Sequence, residues 1–189
     1  MSRPLLTASG LAAARGARIL FTGVTFEARA GEAIVLRGAN GAGKTTLLRI
    51  LAGLTQAGAG TVERSVPHHW FGHREGLKPH ETPLSHLKLW EKAWGGTGAQ
   101  AAVQRMGLDR PKSVPAQMLS AGQRRRSALG RLLLVDRPLW LLDEPFSALD
   151  DAGRTLVRDL IAEHRSEGGA VVAAIHGEAG FEATREVLL

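Results

Sequence analysis

The stretch Ala33-Ile-Val-Leu-Arg37-Gly38-Ala-Asn-Gly-Ala-Gly43-Lys44-Thr45-Thr46-Leu-Leu-Arg-Ile-Leu-Ala-Gly-Leu54 decides the fold. Its first five residues form a short apolar run of the kind a buried strand shows. Leu47, Leu48, Leu51 and Leu54 then fall at helical spacing, which predicts a helix over 44–54. Between strand and helix, Gly38, Ala39, Asn40, Gly41, Ala42, Gly43, Lys44 and Thr45 fit G-x-x-x-x-G-K-[ST] at every fixed position. Glycines let a backbone wrap closely around a phosphate, so that successive N–H groups and the helix N-terminus point at the anion. Lys44 supplies a charge for β- and γ-phosphates, and the Thr45 hydroxyl is placed to ligate Mg²⁺.

Downstream, Leu139-Trp-Leu-Leu-Asp143-Glu144 reads as an apolar strand ending in two carboxylates. A strand beside the glycine loop brings Asp143 near Thr45, where it can hold the metal's water shell. Glu144 is then placed to orient or deprotonate an attacking water. Leu119-Ser-Ala-Gly-Gln123 precedes another helical pattern, and Ser120 with Gln123 has the spacing of a capping box. Two readings of this segment stand side by side: ordinary capping, or a second anion site at Ser120 and Gly122.

The remaining pattern alternates strand and helix. Arg18–Thr22 and Val24–Glu27 read as short strands, and Ala170–Ile175 as a buried one. Helices are predicted at about 83–94, 98–107, 121–135 and 151–167. From His68 to Met118 the chain is punctuated by Gly, Pro and His, and reads as an inserted, mainly helical lobe. Strands alternating with helices imply an α/β fold with a mostly parallel sheet and ligands at the strands' carboxyl ends.

Composition narrows the function. The 189 residues contain no cysteine, which excludes disulfides, thiolate metal sites and cysteine nucleophiles. No apolar run approaches the ~20 residues that span a bilayer, so the chain reads as soluble. Its net charge of +6 suits a polyanionic partner, but only Arg124-Arg125-Arg126 forms a run, and scattered arginines on solvated helix faces are the better reading. Aromatic residues at 5% are too sparse for a nucleic-acid stacking platform, and no nucleic-acid partner is expected.

Gly38–Thr45, Leu119–Gln123, Asp143–Glu144, Ser147–Asp150 and His176 stand in the order and at about the spacing seen in ATP-binding-cassette transporter subunits. The chain resembles that family along essentially its whole length. The resemblance implies a P-loop NTPase core over 1–76 and 132–189, with N-terminal antiparallel strands, and a helical signature lobe over 77–131. It implies a homodimer that sandwiches two ATP molecules with Mg²⁺, bound by residues 38–46, Thr46 included. Ser120 and Gly122 of each copy would then serve the partner's γ-phosphate. Ser147–Asp150 would cross the interface, and His176, 32 residues after Glu144, would position the water beside it. Lys44, Glu144 and His176 are the catalytic residues on this reading.

The sequence departs from the family pattern at two places. An early aromatic that stacks on adenine is replaced by Ala14-Arg15-Gly16, where Arg15 is either a guanidinium platform for the base or a plain surface arginine. The usual metal-ligating glutamine falls at His73, which joins Thr45 and Asp143 as a candidate metal ligand. GHREGLKPHETPLSHL, LSAGQRRRSALGRLLL and RPLWLLDEPFSALD resemble the ATP-binding subunits of bacterial haem exporters in cytochrome c biogenesis. This implies a peripheral subunit on the cytoplasmic face of the inner membrane, docked near 72–94 beneath an integral membrane subunit. Five of seven histidines lie at 68, 69, 73, 80 and 86, but the resemblance leaves haem to the partners. Three alternatives remain: another exported substrate, a soluble ATPase switch, and a nucleotide-binding adaptor that does not hydrolyse.

Overall fold

The computed structural model describes residues 3–177 and 180–189, which fall into two units. The first comprises Met1–Gly72, Arg137–Pro145 and Arg158–Leu189. In it, β1 (Leu6–Arg15), β2 (Arg18–Ala28) and β4 (Ala59–Arg64) make an antiparallel sheet in the order β2-β1-β4. The other sheet is parallel throughout. It joins β3 (Ala33–Arg37), β5 (His68–Phe71), β6 (Leu139–Asp143), β7 (Ala170–Ala174) and β8 (Arg185–Leu188) in the order β5-β6-β7-β3-β8.

Every residue of β6 and β7 is buried, as are Ala33 to Leu36 of β3. Strands covered on both faces need apolar side chains throughout, which is why these segments are uninterrupted runs rather than alternations. Helix α1 (Lys44–Leu51) lies against β6 and β7, and Leu47, Leu48 and Leu51 are fully buried. Burying each such leucine contributes roughly 1.5–3 kcal/mol. The helix ends three residues short of the expected 54, because Gly53 adopts φ +72, and Leu54 is left 52% exposed.

The two short strands expected at 18–27 are one continuous β2, paired along β1 through register shifts between Ala8 and Ala14. Residues 68–71 are not helical-lobe residues but a parallel strand beside β6, with His69 paired to Trp140 and 2% exposed. Two adjacent histidines hide a strand from any reading of propensity, since burial rather than residue type places them.

The second unit comprises His73–Asp136 and Phe146–Val157. Helix α2 (Pro83–Trp94) starts at a capping box between Thr82 and Ser85 with Pro83 in its first turn, and it packs on α3 (Ala99–Arg105) and α4 (Ala121–Leu129). The helix expected to reach 135 stops at Leu129 and tightens into a 3-10 turn over Gly130–Leu133. Helix α5 (Asp151–Ser166) runs through both units. The arginine run is consumed internally. Arg124 donates to Leu119 O, Arg125 (2% exposed) to His73 O, and Arg126 to Met106 O and Gly107 O. These cations satisfy carbonyls at segment ends instead of forming an anion-binding face.

His86 is buried, and its Nδ1 lies 3.1 Å from Glu81 Oε2, while Nε2 has no hydrogen-bond partner. Burial holds its pKa below the ordinary 6.5, against the opposing pull of the Glu81 carboxylate. The folded state thus binds this proton less readily than the unfolded chain does. Its contribution to stability is full above pH 6.5 and is lost as pH falls through the lowered folded value. The melting temperature of the wild type should therefore drop between pH 7 and 5.5, and His86→Gln should flatten that slope in thermal unfolding across the same range.

Candidate active site

Residues 38–43 turn from the end of β3 into α1. Gly43 sits at the N-cap with φ +108, and a Cβ there would stand 2.9 Å from the Phe21 ring. Both the backbone angle and the ring require glycine. No side chain caps the helix, so its first N–H groups are left to a ligand. The Lys44 side chain is buried, and its ammonium donates to Gly38 O at 2.7 Å and Ala39 O at 3.0 Å. The charge is thus held at the mouth of the loop by carbonyls of the loop itself.

Strand register brings the rest of the chemistry to the same end of the sheet. Leu36 and Asp143 both pair with Ala174, so β3, β6 and β7 end level with one another. The Thr45 hydroxyl donates to Asp143 Oδ2 at 2.9 Å, and Asp143 is 2% exposed. A hydroxyl and a carboxylate are hard oxygen donors that suit Mg²⁺, which takes few protein ligands and completes its shell with water and phosphate. The described residues contain no group of three or more His, Cys, Asp or Glu that could hold a metal ion.

Glu144 follows with φ +50, one of two described non-glycine residues in the left-handed region, and its N–H donates to Ala174 O at 2.9 Å. A side chain held in that sparsely populated conformation is a feature of functional sites. The turn places Glu144 Oε1 3.2 Å from His176 Nε2, with both side chains partly exposed. Beside Thr45 and Thr46 opens a cleft of about 330 Å³, walled also by Arg15, Leu20 and Arg49. Arg15 stands at the β1–β2 turn, so the structure brings it to the phosphate loop.

In the second unit, Ser120 is the N-cap of α4: its hydroxyl accepts from Gln123 N at 3.1 Å, and Gln123 Oε1 accepts from Ser120 N at 2.9 Å. The Ala121 backbone avoids positive φ, so the methyl group in place of hydrogen costs nothing there. A Cβ on Gly122 would stand 3.1 Å from Ala148 O, close enough to favour glycine. Asp150 Oδ1 accepts from Gly153 N at 2.9 Å and caps α5. His73 is exposed, and its carbonyl accepts from Arg125.

Residues 21–147 match the ABC transporter family. The cytochrome c biogenesis ATP-binding export protein CcmA of Hyphomonas neptunium is 58% identical over 187 residues, 98% of this chain and 97% of that one. Its counterpart from Rhodopseudomonas palustris is 45% identical over 193 residues, covering 96% of each. The chain belongs to the ABC transporter family, among its cytochrome c biogenesis ATP-binding export proteins. The solved ATP-binding subunit of an ABC transporter shares the fold, with TM-score 0.79 over 90% of this chain and 79% of that one at 24% identity.

As an ABC subunit the chain is a nucleotide-binding ATPase. Among its described residues no helix is long and apolar enough to cross a membrane. One residue of the cleft escapes a reading of the sequence. Arg49, whose Nε donates to Thr55 Oγ1 at 3.3 Å, lines the cleft with Thr45 and Thr46, and its i+3 and i+4 spacing from them is the available signal. Gly43→Ala should weaken nucleotide binding at least about tenfold, because strain and the Phe21 contact displace the loop; titration with a fluorescent ATP analogue measures it.

Proposed function

We propose that two copies of this chain bind and hydrolyse ATP beneath an integral membrane subunit that handles haem for cytochrome c maturation. The observation that carries the reading is the paired contact at one sheet end: Thr45 on Asp143 at 2.9 Å, and Glu144 against His176 at 3.2 Å. The 58% identity to a cytochrome c biogenesis ATP-binding export protein supports the pathway. The chain works from the cytoplasmic face of the bacterial inner membrane, with residues 72–94 as its docking segment.

Backbone N–H groups of residues 38–46 cradle the phosphates, and Lys44 exchanges its two loop carbonyls for β- and γ-phosphate oxygens. Thr45 and Asp143 would hold Mg²⁺, and His73 is assigned to the same ion by its place in the sequence. When bound, the ion neutralises charge on the β- and γ-phosphates. Glu144 accepts the proton of the attacking water, and His176 holds Glu144 and the water in place. Arg15 lies flat against the base. The helical lobe, 77–131, between core segments 1–76 and 132–189, presents Ser120 and Gly122 to the nucleotide of the other copy. ATP thereby closes the dimer, and its hydrolysis opens it.

The test is phosphate release by the purified complex with its membrane partners. Glu144→Gln should lower kcat by about 10²–10⁴-fold while keeping nucleotide affinity, as loss of a general base does. Equal inactivity of wild type and variant would favour the adaptor instead. Arg15→Ala should raise KM for ATP severalfold with kcat unchanged, since the base is held alike in ground and transition states; steady-state kinetics over a range of ATP concentrations checks it.

A further inference from the structure

Strand β3 feeds directly into the phosphate loop, and its last side chain is Arg37 rather than another apolar residue. Its guanidinium reaches away from the loop in two directions. One terminal nitrogen donates to Gly177 O, the carbonyl immediately after His176. The rest meets Glu186 on the neighbouring strand β8, with Nε at 3.0 Å and a terminal nitrogen at 2.9 Å from Oε1. Register explains the reach. Leu36 pairs with Ala174 on one side and Val187 on the other, so Arg37 lies at the level where β7 has ended and its chain is leaving the sheet.

His176 therefore stands past the last ladder residue of β7, and among the described residues contacts at two points hold this segment. Its ring meets Glu144, and the next carbonyl meets Arg37. A short loop bearing a functional side chain needs such an anchor, because displacement by about 1 Å costs up to about 10²-fold in rate. A guanidinium makes a good anchor, since it stays charged and its rigid fork engages a carbonyl and a carboxylate together. Glu186, more than half exposed, aims the fork and adds little by itself.

We propose that Arg37 is a positioning residue for hydrolysis, tying the strand that precedes the phosphate loop to the loop that carries His176 and so fixing that ring against Glu144. This rests on the roles given above to Glu144 and His176. Arg37 touches neither nucleotide nor water on this reading. It acts through Gly177.

The experiment measures steady-state phosphate release by the complete complex for Arg37→Gln, Arg37→Lys, Glu186→Gln, His176→Ala and the double variant Arg37→Gln/His176→Ala. Arg37→Gln should lower kcat about tenfold with KM for ATP within about twofold, the pattern of an interaction that matters only in the transition state. Arg37→Lys should recover part of the loss, and Glu186→Gln should match wild type. In the His176→Ala background Arg37→Gln should change nothing further, because residues acting as one unit are non-additive.

Wild-type kcat in Arg37→Gln overturns the proposal, as does a loss that multiplies the His176→Ala effect, a rise in KM alone, or an equal loss in Glu186→Gln. Failure of both Arg37 variants to fold also overturns it, by making the residue structural. A wild-type complex that releases no phosphate overturns the hydrolytic reading itself. Hydrolysis that responds to His176→Ala but not to Arg37→Gln overturns this inference alone.

Discussion

The hydrogen bond from the Thr45 hydroxyl to the Asp143 carboxylate holds two segments almost a hundred residues apart at one point. Thr45 stands in the first turn of α1, and Asp143 is the last residue of β6. Asp143 is 2% exposed, and a carboxylate so deeply placed must be compensated. The bond therefore sets the site's geometry as well as its chemistry. Once it forms, the N-terminus of the helix, its lysine and the end of the acidic strand face the same small volume.

Parallel strands make that convergence possible. Since β3, β6 and β7 run the same way and end level, each hands its outgoing segment to the same edge: the glycine loop after β3, Glu144 after β6, His176 after β7. The cost appears in the backbone. Glu144 occupies a left-handed conformation at φ +50, and its N–H is pinned by Ala174 O, so the strain is over-determined by the sheet beside it. That turn is what swings the carboxylate toward His176.

The second unit answers a different requirement. Its helices present the capped start of α4, where Ser120 and Gln123 satisfy each other's backbone groups. The three arginines that come next look like a binding surface in the sequence, yet their guanidinium groups are drawn inward onto carbonyls of neighbouring segments. A net charge of +6 thus says less about partners than about how this unit closes its loops.

Local chemistry written in consecutive residues was legible in the sequence. The glycine loop, the acidic strand end, the capping box at Ser120 and the α2 boundaries at 83 and 94 each depend on short-range geometry. The strands β4, β5 and β8 were not legible, because His68–Phe71 and Arg185–Leu188 become strands only by pairing with partners far along the chain. That Arg15, at the β1–β2 turn, lines one cleft with Thr45 and Thr46 was likewise not legible. The sequence by itself determined the glycine loop with its lysine and threonine and the acidic pair at a strand end, since spacing along one segment fixes those. Only tertiary structure decided the level ends of the strands, the turn at Glu144 and the reach of Arg37, because register between distant segments is set by packing and not by neighbours in the chain.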